Sequence, residues 1–369
     1  MLLSFNSNQF LFFVVLFSLV VIPHGIFPVS VVYTFLLLLF IRVRKPKLAY
    51  VDFFLIISIW LVAIISASFS IITSSFIFTV FYISFMQLRF DDCNGSDFFY
   101  FKIIVYLFVF SYFLQMIYSM ATGGFIDDEG NSRLSLTIGD PNFSGFLVFL
   151  VVTIMYFSRW IKTSILLSVL NVFFIESRAF LISVIVFFVF ELFFSRRRIS
   201  AFSFIAIQFF GFAFIVLFIV NWEFYLDYIQ SLVNEMFFND IESIRLLNFY
   251  DRSNIGRFSS FEYFINKMFS DLNFLLNGVG SEKALFNYNS VLPHNSMIYF
   301  FSVYGAPYVL VFFVALYRLF NVVSENKISL SLTCGFTFYT MFLHGAYSYI
   351  FLSLMLISIV FANKINDSN

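Results

Sequence analysis

Residues 180–194 read FLISVIVFFVFELFF, stop at Arg196-Arg197-Arg198, and are followed at once by residues 200–220, SAFSFIAIQFFGFAFIVLFIV. Two apolar runs separated by a basic block decide the class of fold. Each approaches the length that crosses a hydrocarbon layer about 30 Å thick. Cationic side chains between such runs mark the connection that stays inside. The remainder of the chain repeats the pattern. Of its 369 residues, 61% are hydrophobic and 11% charged, against about 25% charged in a soluble domain. With a mean hydropathy of +0.94, most of its surface must face something apolar. The expected fold is all-α, a polytopic integral membrane protein.

Working outward, further apolar runs cover residues 10–21, 26–41, 51–67, 71–85, 98–120, 143–157, 165–175, 297–317, 328–343 and 347–362. That makes about twelve spans. Residues 1–9 carry no Lys or Arg, so the first run reads as a retained span rather than a cleaved signal peptide. With both termini cytoplasmic, 14 of the 21 Lys and Arg residues fall on inner connections. The organisation expected is nine spans in 1–220, a large outer loop with short amphipathic helices in 221–296, and three spans in 297–369. Losing one span around 143–175 would invert everything after it. Glu191 and Asp52 are expected to reach the cytoplasmic boundary. Cys93 and Cys334 are too few for a disulfide or metal framework, and no His, Cys and carboxylate cluster has metal-ligand spacing.

The outer loop is where chemistry is expected, because long ordered connections tend to be functional. A helix is predicted over 259–269, with Phe261, Phe264, Ile265, Met268 and Phe269 forming one apolar stripe. Ser259 and Glu262 stand at capping-box spacing. That helix either lies on the membrane surface or packs onto neighbouring spans. Arg257 stands just before it, where it and the helix N-terminus could meet an anion. Acids outnumber bases in the loop by nine to five, which argues against a polyanion-binding patch and so against nucleic acid. Gly278-Val279-Gly280 lacks the context of a dinucleotide site and reads as a turn.

Outside the loop, Arg178 stands in Glu176-Ser177-Arg178 with almost no connection to occupy. A cation there either pairs with Glu176, snorkels, or offers its planar fork to phosphate oxygens. His294 lies between Pro293 and Asn295 at the mouth of a span. It is either a helix-entry residue or a general base for a hydroxyl. His24 and His344 sit in tight turns on the same side and are not assigned chemistry. Gly139-Asp140-Pro141-Asn142 reads as a turn into a span, with Asn142 as its N-cap.

Taken in order, these motifs resemble the bacterial O-antigen polymerase and O-antigen ligase family. Arg133 with Gly139-Asp140-Pro141-Asn142, then Ser177-Arg178-Ala179, then Arg257, Asn277-Gly278-Val279-Gly280 and His294-Asn295 match its pattern across about residues 130–310. The resemblance implies a GT-C-like membrane fold and a metal-independent, cofactor-free glycosyltransferase of the bacterial inner membrane. Its donor would be an undecaprenyl-diphosphate-linked oligosaccharide, with the polyprenyl chain in an apolar groove. By this likeness Arg178 and Arg257, assisted by Arg133, would hold the diphosphate. His294 would take the proton of the acceptor hydroxyl as the anomeric centre inverts, with Asn295 and Asn142 in support. A chain-length regulator would be a protein partner.

The family divides into polymerases, which extend lipid-linked repeat units, and ligases, which transfer the glycan to lipid A core. The same clamp and base serve both. The high Phe, Ile and Asn content suits AT-rich O-antigen gene clusters and favours the polymerase. A lipid-linked oligosaccharide flippase would show internal repeats and charges along a path; neither is evident. A cell-wall assembly scaffold would tolerate loss of Arg178 and His294.

Overall fold

The structure is a computed structural model that describes residues 48–66, 68–86, 141–157, 159–194, 197–237, 252–344 and 346–367, with scattered positions between 34 and 41 and between 106 and 133. The expected spans at 10–21, 26–41 and 98–120, and Cys93, lie wholly or mostly outside the described residues. What is described is all-α apart from two pairs of two-residue strands.

Helices α1 (Tyr50–Ile65) and α2 (Phe69–Met86) form a hairpin. Strands β1 (Phe125–Ile126) and β2 (Ser132–Arg133) pair antiparallel. A second hairpin joins α3 (Pro141–Phe157) to α4 (Ile161–Ile175), and α5 (Arg178–Phe194) follows. The 143–175 region therefore holds two packed helices. Strand β3 (Arg198–Ile199) leads into α6 (Ala201–Ile219), whose first turn is capped by the Ser200 side chain. Among its described residues the expected loop contains four helices: α7 (Trp222–Phe237), α8 (Arg252–Ser270), α9 (Leu272–Asn277) and α10 (Glu282–Tyr288). The chain ends with α11 (Ser296–Tyr304), α12 (Ala306–Val323), β4 (Ile328–Ser329), α13 (Leu330–Phe342) and α14 (Tyr349–Asp367).

Among the described residues, α2, α6 and α12 are long and apolar enough to cross a membrane, and α1, α3, α4 and α13 are shorter apolar helices. Phe54, Phe173 and Phe210, on α1, α4 and α6, stand exposed with many other large apolar side chains. Such an outer surface suits lipid and is rare on a soluble monomer.

The core is an α5–α13 contact flanked by α3, α6 and α14. Gln208 stitches α6 to its neighbours by donating to Thr337 Oγ1 and accepting from Thr340 and Tyr347. At one end of the bundle, β3 pairs with β4, and Arg198 donates to the Ala362 carbonyl. Asp52 and Glu191 belong to this half but are buried rather than solvated. Asp52 accepts from Tyr82, from Arg318 Nε at 3.2 Å and from the Ala49 amide, while Glu191 accepts from Ser331. Satisfying each carboxylate from within removes its need for water.

The expected span 297–317 is two helices, because Gly305 breaks it at φ +77°. The break is a docking point. Val279 and Gly280 amides donate to the Ser302 and Val303 carbonyls, closing the Gly-Val-Gly turn against the end of α11. A Cβ on Gly305 would meet the Leu276 carbonyl oxygen at 2.2 Å, and one on Gly278 would meet that of Val303 at 2.5 Å. The Gly280 carbonyl also accepts from Ser68, in the α1–α2 turn. The turn at Gly278-Val279-Gly280 thus has a purpose, fastening the loop layer to the bundle.

Candidate functional site

At the loop end of the bundle, Asn295 caps α11 by accepting from the Met297 and Ile298 amides. Its Nδ2 donates to the Met341 carbonyl at 3.0 Å. Next to it, the Ser296 hydroxyl donates to the Leu343 carbonyl and accepts from the Ala346 amide at 3.1 Å. These bonds lash the start of α11 to the chain leaving α13. They bring His294 and His344 together, edge to face, with ring centroids 4.9 Å apart. His344 also packs against Phe143 of α3 at 5.2 Å and Tyr299 of α11 at 5.5 Å. The Tyr299 hydroxyl donates to Glu282 of α10.

Asn142 lies within the first turn of α3, which opens at Pro141, so it is not the expected N-cap. A proline fits the first helical position because its missing N–H would have no partner there. The Asn142 side-chain Oδ1 instead accepts from the Ser177 hydroxyl at 3.3 Å. Ser177 in turn accepts from the Phe180 amide and so caps α5. Arg178, half-buried, is the first residue of that helix. The Asn142–Phe143 step therefore links the start of α5 to His344.

Helix α8 begins at Arg252 rather than at Ser259, so Arg257 lies inside it and not ahead of its N-terminus. The capping box does not form at Ser259; Glu262 accepts instead from the Trp222 indole at 3.2 Å. The apolar stripe packs onto α6 and α11, with Phe261, Phe264, Ile265 and Met268 buried. Phe269 is exposed. Of the two placements left open, packing against neighbouring helices is the one adopted.

From α8, Arg257 acts electrostatically on His294. Burial first, then Arg257 and His344, hold the His294 imidazole well below its ordinary value of 6.5. The imidazole is therefore neutral near pH 7. Its Nδ1 is buried and has no hydrogen-bond partner among the described residues. Such an atom in a folded protein calls for an explanation, and a binding or catalytic role is one. Arg133 sits in β2, opposite Phe125, and its side chain lies outside what is described.

His294 with Asn295, Arg257, Asn142 and Arg178 are thus tied into one end of the fold from four separate stretches of chain. His344 joins them, although its residue type and place in a turn assign it no chemistry. A signal for it exists in the sequence: three histidines in all, each at the end of an apolar run and on the same predicted side. No group of three or more His, Cys, Asp or Glu at metal-binding spacing occurs among the described residues. No protein-family model, curated protein or solved structure matches the chain.

Proposed function

We propose that the chain is an O-antigen polymerase of about twelve spans in a bacterial inner membrane, with the loop end facing the periplasm. The donor is an undecaprenyl-diphosphate-linked oligosaccharide, and the acceptor is the terminal sugar of another lipid-linked repeat unit. His294 accepts the proton of the acceptor hydroxyl, whose oxygen attacks the anomeric carbon. The bond from that carbon to the diphosphate oxygen breaks with inversion. Arg178 and Arg257 offset the negative charge that develops on the departing undecaprenyl diphosphate. Fixed charge aimed at developing charge is commonly the main source of rate enhancement in such reactions. Arg133 assists them.

One observation carries the reading most of the way. A neutral, buried histidine whose Nδ1 has no hydrogen-bond partner among the described residues stands within the field of Arg257. It shares its end of the bundle with the α5 start that bears Arg178. A base must be unprotonated before reaction, and a diphosphate site must be cationic; a neutral imidazole in the field of one arginine, at the bundle end that bears another, suits both needs.

The test is the lipopolysaccharide ladder of a strain lacking the gene, complemented with the native chain, His294→Ala or Arg178→Ala. Core bearing a single repeat unit, restored to a ladder by the native chain alone, is the expected result. Bare core with lipid-linked glycan accumulating would identify a ligase instead. An unchanged ladder in the deletion strain would overturn both and bring a transporter or scaffold forward.

A further inference from the structure

We infer that His344 is the positioning partner of His294, holding the ring of the proposed base edge to face from the turn that follows α13. The inference deepens the reading above and rests on it. Three observations carry it.

The two rings are 4.9 Å apart at 80°, inside the range of favourable edge-to-face contacts. Their meeting is fixed by backbone, since the bonds from Asn295 and Ser296 grip Met341, Leu343 and Ala346 on both sides of His344. Finally, His344 is walled by Phe143 and Tyr299, so among these three ring neighbours only His294 can exchange a proton near neutral pH.

Its use follows from charge. Once His294 has taken the hydroxyl proton, it is a cation against the neighbouring ring, which must itself be neutral at that moment. Two imidazolium ions at this separation repel, so the pair takes up its two protons in separate steps and titrates as a unit. Among the described residues, the charged or titratable groups shown to face the pair are Arg257 from α8, Tyr299 from α11 and, behind Tyr299, Glu282 from α10. Helix α3 contributes the phenyl ring of Phe143.

The experiment uses the full chain in detergent micelles with isotope-labelled histidine rings. With three histidines in the sequence, three sets of ring signals can be assigned by substituting His24, His294 and His344 in turn. Expected in the native chain is a His294 titration in two steps separated by about one pK unit or more. His344→Phe should collapse it to one step at higher pH and carry the acid limb of ladder synthesis with it. His344→Asn, a smaller change, should do the same should the phenylalanine variant fail to fold. A His294 titration identical in the native chain and in either folded variant would overturn the pairing. The titration is read without substrate, so its failure strikes the pair alone, whereas an unchanged ladder in the deletion strain strikes the enzyme reading alone.

Discussion

Gly305→Ala tests whether the loop layer is fastened to the bundle as described. The new Cβ would lie 2.2 Å from the Leu276 carbonyl oxygen and 2.8 Å from the Asn277 carbonyl carbon, both backbone atoms that no rotamer change can move. At φ +77° the alanine would also sit in a region costing about 1 kcal/mol or more for residues with a side chain. The Gly-Val-Gly turn must then retreat. Its bonds from Val279 and Gly280 to Ser302 and Val303 go with it, at about 1 kcal/mol each. Together these losses come to about 3 to 5 kcal/mol, or roughly two to four powers of ten in the folded-to-unfolded ratio. Reversible unfolding in mixed micelles would measure it. Trp222, bonded to Glu262 of α8, reports on the loop layer. Val279→Ala is the control, since it leaves both backbone bonds and should cost little by comparison. A Gly305→Ala chain within about 1 kcal/mol of native, or a Val279→Ala chain equally damaged, would refute the docking argument.

Other outcomes are expected. The acid limb of activity should lie below pH 6.5, since the folded protein holds His294 less readily protonated than the unfolded chain does. By the same sign, this group's contribution to stability is complete above pH 6.5 and lost on acidification, as a pH series of melting curves would show. Arg257→Gln removes one cause of that depression and should move the limb upward while weakening the donor; a limb that stays put would break the link. Arg318→Ala leaves the Asp52 carboxylate buried without its cation and should cost about 2 to 3 kcal/mol in an unfolding titration, most of it recovered by adding Asp52→Asn. Gln208→Leu deletes three side-chain bonds between α6 and its neighbours, for about 2 kcal/mol in the same assay.

Much of the helical order is legible in the sequence because apolar runs announce themselves whatever they pack against. Helices α1 to α6 lie close to where those runs stand. Less visible are features set by partners distant in the chain. Gly305 looks like a residue inside an uninterrupted span; only its backbone contact with Leu276 and Gly278 shows why it must break one. Asp52 and Glu191 look like boundary charges, because no rule of spacing reveals that Tyr82, Arg318 and Ser331 wait to bond them. The start of α8 lies earlier than capping chemistry suggests. Ser259 and Glu262 stand at capping distance, but Trp222 claims Glu262 and the helix continues back to Arg252. At the site, residue types alone point to His294 and Arg178. The association of His294 with His344 cannot be read from either, since it is created by the lashing of α11 to α13.

That lashing has a consequence for biosynthesis. Ala346 binds Ser296 across a separation of 50 residues, and the chain emerges from the ribosome N-terminus first. Arg178, Arg257 and His294 are all synthesised before α13 exists to receive the start of α11. The histidine pair closes only when α13 and the turn after it have been made. A nascent chain that stops short of α13 therefore carries His294 without the contacts that seat it against His344.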